Sequence, residues 1–328
     1  MNFNDVEATR QRYFAKSQAI SKKRKKVITI FLIIAFIIDI FLLVLNFDTI
    51  KTLFVHPSVQ SAISIIMPTM IIIIFELVLS FIIAHLATIN NNITEEYQDY
   101  KRAYKKYFVS RQLASIFTKI DYNHELGLDK ELLQETGLIY TGDVYRSNDL
   151  VHGEYNNVSF TQADVTIEEV RKTKDADGHT ETKIITIFNG RYLIFTFPKK
   201  FDYKMVISFN GYGESYINPK TKRGLRRIET ESTEFNKRFL VYAEDEFEAF
   251  YILNPTFIEN LEKLGQQYDN NLVLYFSDNK LYIGLNDNGD IFEPPDGAAP
   301  IDERKELAKV TNDMQLVINL IDNLKLNR

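Results

Sequence analysis

Chemistry in this chain would have to come from its carboxylates. The five histidines (His56, His85, His124, His152, His179) include no two spaced three to five residues apart, so a zinc-type pair is missing. Without Cys there is no thiol nucleophile, no Cys-ligated metal and no disulfide scaffold. No G-x-x-x-x-G-K-[ST] or G-x-S-x-G occurs, and Gly211-Tyr212-Gly213 lacks the third glycine of a dinucleotide loop. Asp175-Ala176-Asp177-Gly178 resembles half a calcium loop. With Gly178 as its sixth position, however, the twelfth falls on Ile184 rather than Glu, and a hairpin turn is the better reading. Glu229, Glu231, Glu234, Glu244, Asp245, Glu246 and Glu248 are dense enough to attract a cation, although solvated helix and strand faces explain them more simply. No catalytic residue, cofactor or metal site is assigned, and an enzyme is not expected.

Two carboxylates stand out by their surroundings. Asp39 interrupts the apolar run Val27–Phe47, and Glu76 the run Ala62–Ala87. Each run meets the roughly 20 apolar residues that a helix needs to cross a ~30 Å hydrocarbon layer. The sequence therefore predicts two transmembrane spans, 27–47 and 62–87, with both carboxylates at nearly one depth. Glu76 shares a helical face with Thr69 and Ser80, a polar stripe of the kind that points at another helix. A charge inside a span costs about 2.5–3.5 kcal/mol, so the two carboxylates need an account. Hydrogen-bonding glue for a partner helix, an ion or proton path, and tolerated insertion all remain open.

The flanking charges predict the orientation. Residues 1–26 hold eight basic and two acidic side chains, the loop 48–61 has only Lys51, and Lys101, Arg102, Lys105, Lys106 and Arg111 follow the second run. Both ends are thus expected in the cytoplasm of a two-span cell-membrane protein. Lys22, Lys23, Arg24, Lys25 and Lys26 would form its membrane-surface anchor. A second basic patch, Lys220, Lys222, Arg223, Arg226 and Arg227, reads as a solvated loop or as a surface for phosphates or an acidic partner. Residues 120–328 carry 24 basic against 36 acidic residues, which argues against nucleic acid.

The elements around these residues follow from periodicity. Ile93, Tyr97, Tyr100, Tyr104 and Phe108 recur at helical spacing, predicting a stalk helix over 88–120. From Thr136 to Ile228 the pattern alternates with period two, and Asp177-Gly178 and Asn189-Gly190 read as hairpin turns. A strand at Phe239–Ala243 and a helix at Asp245–Leu253 come next, then a helix from Pro255 to about Leu264. A hairpin turning at Asp278-Asn279, a linker Glu293–Pro300 and a helix Asp302–Leu326 complete the chain. The expected fold class is α+β. A basic segment (1–26), a two-helix transmembrane hairpin (27–87) and the stalk precede a mainly antiparallel β cytoplasmic domain over 121–328, a sandwich or partial barrel with flanking helices.

The segment RIETESTEFNKRFLVYAEDEFEAFYILNPTFIENLEKL (Arg227–Leu264) resembles the signature stretch of the bacterial domain-of-unknown-function family 3137. The likeness extends to TGLIYTGDVYRSNDLVHGEYNNVSFTQADV, to FNGRYLIFTFPKKF and to FEPP followed by a helix, and covers roughly residues 95–328. It implies one or two N-terminal spans and a cytoplasmic mixed domain. It brings no established activity and so no catalytic residue. The expected function is a membrane-tethered interaction or scaffold module, with membrane lipid and a second copy or another membrane protein as partners. The alternative is an oligomeric ion- or proton-linked transport component using Asp39 and Glu76.

Overall fold

Helical periodicity at the N-terminus and alternation further on produce two compact units, one helical and one built on a sheet. The computed structural model describes residues 1–45, 51, 72, 74–76, 78–79, 81–83, 93–174, 180–197, 203–210, 217–269 and 271–323. The helical unit comprises residues 2–103 with 296–300, and the sheet unit essentially residues 104–295 with 301–328.

In the helical unit, α1 (Phe3–Leu45) meets α2 (Ile93–Tyr104) through aromatic rings. Tyr13 lies 5.3 Å from Tyr97 and 6.2 Å from Tyr100, and Phe14 lies 6.4 Å from Tyr100. Lys16 donates to Glu96 at 2.6 Å, and the Arg10 guanidinium is shared between Glu7 and the carbonyl of Ala298. Tyr97 and Tyr100 of the aromatic stripe expected on a stalk thus serve as helix-pair packing, whereas Tyr104 packs on Phe108 at 4.9 Å.

The transmembrane hairpin is overturned. Among the described residues no helix is long and apolar enough to cross a membrane. Val27–Leu45 is not a separate span but the far part of α1, continuous with its charged first half. Most of 62–87 lies outside the described residues, and the few described between 72 and 83 are helical. The two-span, multi-pass membrane location with cytoplasmic termini falls with the hairpin, as does the membrane-tethered function built on it.

The sheet unit starts with a π-helical turn, Lys105–Val109, followed by α3 (Ser110–Ile116). The helix expected to run to 120 ends there, because Phe117 is extended and β1 (Lys119–Asn123) begins. Next come α4 (Lys130–Thr136), β2 (Val144–Tyr155), β3 (Val158–Lys174), β4 (Thr180–Thr196) and β5 (Met205–Phe209). They are followed by β6 (Arg226–Ile228), α5 (Thr233–Arg238) and β7 (Phe239–Ala243). The remaining elements are α6 (Glu246–Ile252), α7 (Pro255–Gln267), β8 (Leu272–Ser277), β9 (Lys280–Leu285) and α8 (Glu303–Asn323). Side-chain caps fix the short helices: Ser232, Asp245 and Asn254 accept from the backbone at the starts of α5, α6 and α7.

The nine strands form one sheet in the order β1-β2-β3-β4-β9-β8-β5-β7-β6, in place of the expected sandwich or partial barrel. The β8–β9 hairpin inserts between β4 and β5, so the chain is not a simple meander. Asn189-Gly190 is no hairpin either. Both residues sit inside β4, opposite Thr166 and Val165 of β3. Gly190 is needed there because an added Cβ would stand 2.1 Å from the carbonyl oxygen of Leu285. One face of the sheet buries Ile139, Val165, Ile167, Phe188 and Tyr192 with Leu133 of α4. On the other, Phe160 meets Phe117 at 5.1 Å, and α8 is tied to α3 through Gln112 and Thr311 at 2.7 Å.

Candidate functional site

Alternation along β3 puts Val158, Phe160, Gln162 and Asp164 on one buried face. The first two are apolar. The last two are not, and Asp164 is only 5% exposed. Across the ladder Asp164 faces Asn148 of β2, and immediately beyond that pair the register shifts. In this bulge Asp149 adopts φ 57°, a left-handed conformation that Asp tolerates better than most residues. Its side chain is fully buried beside Asp164.

Lys105, the first residue of the π turn, enters the same place and is also fully buried. Its ammonium donates to Asp149 and lies 3.1 Å from Glu293 and 3.9 Å from Asp290. Tyr122 of β1 donates its hydroxyl to Asp149, and Asn148 Nδ2 donates to the same carboxylate at 2.6 Å. Single-turn π segments are frequent at functional sites, and here the turn aims a lysine inward.

Asp290 and Glu293 arrive on the chain between β9 and α8. Asp287 anchors it by accepting from Arg191 at 2.6 and 3.0 Å. The backbone N–H of Ile291 donates to Asp164 Oδ2 at 3.3 Å. Phe292 is fully buried 5.5 Å from the Tyr122 ring, and Lys309 donates to the Glu293 carbonyl at 2.7 Å. The Gly190 gap allows this close passage.

Three carboxylates therefore meet one ammonium, with Asp164 beside two of them, and the charge does not balance locally. Burial, then the charges of Asp149 and Asp290, holds the Asp164 carboxyl well above its ordinary value. Burial and the Asp149 charge likewise raise the Tyr122 phenol, keeping it a donor. Asp164 Oδ1 is buried without a hydrogen-bond partner. Asp149, Asp164 and Asp290 each present an oxygen within 4.8 Å of the others. Such a spacing suits one cation bound at about 2.0–2.6 Å, and an all-oxygen donor set suits Mg²⁺ or Ca²⁺.

The residues singled out in the sequence lie elsewhere. Lys22 to Lys26 are exposed on α1. Asp39 and Glu76 are half-buried helical residues, and desolvation followed by the Asp39 charge raises the Glu76 carboxyl. Thr69 and Ser80 lie outside the described residues. Lys220 and Lys222 sit on a 3-10 turn, with Arg223 just after it, and Arg226 and Arg227 lie on the edge strand β6. Lys222 stands 4.5 Å over the Tyr242 ring and Arg227 is 3.5 Å from Glu229. Charges of this kind guard a strand edge against mispairing. Sequence reasoning missed Lys105, Tyr122, Asp149, Asp164, Asp290 and Glu293. The available signal was the polar pair Gln162 and Asp164 on the otherwise apolar face of β3.

Comparison with known proteins bears on the distal part of this site. Residues 186–326 match the family model of DUF3137, a protein of unknown function. The DUF3137 match contains Asp290 and Glu293 and leaves out Lys105, Tyr122, Asp149 and Asp164, so the cluster joins matched and unmatched segments. No curated protein matches the chain. A crystal structure of the mycobacterial trehalose monomycolate transport factor A is similar to it, with a TM-score of 0.36 and 10% identity, over 68% of this chain and 94% of that one.

Proposed function

We propose that the sheet unit binds one divalent cation through Asp149, Asp164 and Asp290, and that the ion fastens the segment after β9 to the β2 bulge. The observation that carries this reading is Asp164 Oδ1, buried among carboxylates without a donor. A buried acceptor left unsatisfied costs about 1–3 kcal/mol, more when charged, and a cation removes that cost. Lys105 answers Asp149 and Glu293 but lies farther from Asp290, which leaves the Asp164 side for the ion. Lys309 and Ile291 fix the backbone of the arriving segment, so its carboxylates come preorganised.

Terbium luminescence on the full chain tests the reading. The chain has 18 Tyr and no Trp, so tyrosines alone can sensitise the ion, and Tyr122 is hydrogen-bonded to a proposed ligand. The expected result is saturable emission that Ca²⁺ competes away, lost in Asp164→Asn and Asp290→Asn and kept in Glu231→Gln. Emission unchanged by Asp164→Asn, or no saturable emission in the wild type, would reject it. A rival reading places a shared proton between Asp164 and Asp290, favoured by the hydrogen bond that raises Asp164. It predicts no saturable emission.

A further inference from the structure

A groove of about 520 Å³ opens on the sheet unit between the turn preceding α5 and helices α6 and α7. Phe250, Leu253, Pro255 and Ile258 give it apolar walls, and Glu229, Glu231, Glu259 and Glu262 supply every charge in its lining. Its size falls within the roughly 300–1,000 Å³ of ligand pockets. Glu259 has Lys263 at 2.7 Å and Glu229 has Arg227 at 3.5 Å, whereas Glu231 and Glu262 have no ion-pair partner among the described residues. On α6 beside the groove, Phe247 is 89% and Tyr251 64% exposed. Phe247, Phe250 and Tyr251 follow the three- and four-residue spacing of one helical face. Large aromatics left in water beside an apolar cleft are the usual mark of an interaction surface.

We infer that this groove docks a peptide segment of another protein that carries Lys or Arg flanked by large apolar side chains. The charge selects the occupant. Glu231 and Glu262, the two of the four glutamates without an ion-pair partner among the described residues, attract cationic side chains and repel anionic lipid or nucleic acid, while the walls and the exposed rings of α6 take the apolar ones. The site involves none of the residues of the buried carboxylate cluster.

The test pans a random dodecapeptide display library against the full-length protein and measures enriched peptides by fluorescence anisotropy. Enriched sequences should place Lys or Arg within three positions of Leu, Phe or Ile. Glu231→Lys combined with Glu262→Lys should weaken binding at least tenfold, and Phe247→Ser severalfold, with the circular dichroism melt unchanged. No enrichment over an unrelated bait, or enriched peptides without basic residues, would overturn the inference. So would affinity indifferent to the peptide's apolar residues, which would make the groove a site for simple polycations. Equally tight binding of a peptide copying residues 20–31 of this chain would assign the groove to a second copy and overturn it as well.

Discussion

Two sets of carboxylates in the sheet unit show how differently the same group behaves in two settings. Around the groove, Glu229 and Glu259 are 68% and 65% exposed, so water and salt screen them and a neighbouring Arg or Lys adds little. In the buried cluster, Asp149 is fully buried and Asp164 nearly so, with Asp290 and Glu293 closing on one lysine. There the charges of Asp149 and Asp164 must be met by a proton, an ammonium or a metal ion, because water does not meet them, while Asp290, 38% exposed, closes the cluster on its solvent side. Convergence and burial, rather than density along the chain, make carboxylates into ligands.

Removing the internal cation should separate the two sets most strongly. Lys105→Met leaves Asp149 and its neighbours without their ammonium and should cost about 3–5 kcal/mol in urea unfolding. Glu231→Gln and Glu262→Gln at the groove should stay within about 0.5 kcal/mol. A Lys105→Met protein as stable as wild type would mean that the cluster is not under charge stress. Next in size is Gly190→Val. Its Cβ has no room beside the Leu285 carbonyl, so it should cost about 1–3 kcal/mol and displace the segment carrying Asp290. Cation binding should weaken while the groove keeps its ligand, and the reverse pattern would dissolve the distinction.

Tyr122→Phe withdraws one donor from a buried carboxylate and should lower stability by about 1–3 kcal/mol, read by thermal melting. The smallest effect is expected from Asp313 on α8, a carboxylate of the same unit outside the cluster. Burial, opposed by Lys309 and Arg191, pushes it up to about 6. The neutral acid is thus favoured in the folded state. That contribution is present in full below the ordinary Asp value and is lost as pH rises through about 6. Asp313→Asn should flatten this part of the stability–pH curve whether or not a divalent cation is present.

Much of the sheet unit was legible because its local rules agree. Leu272–Leu285 is two apolar runs about an Asp-Asn turn, Pro255 opens a helix, and each took the predicted form. Asn189-Gly190 misled because the same dipeptide that makes a tight turn also permits close backbone approach, and only the position of β9 decides which. The buried cluster was illegible for a related reason. Lys105, Asp149, Asp164 and Asp290 come from a π turn, a bulge, a strand and a loop, so no spacing links them. The apolar runs around Asp39 and Glu76 were read as spans from composition alone. Composition could not show that the first continues a charged helix.

The most direct test of the account is calorimetric titration of the full chain with Ca²⁺ and with Mg²⁺, in wild type, Asp164→Asn and the paired Glu231→Gln, Glu262→Gln variant. The account predicts one saturable site for at least one of the two ions, abolished by Asp164→Asn and unchanged by the groove substitutions. Binding that survives Asp164→Asn, or that disappears with the groove glutamates, would contradict it.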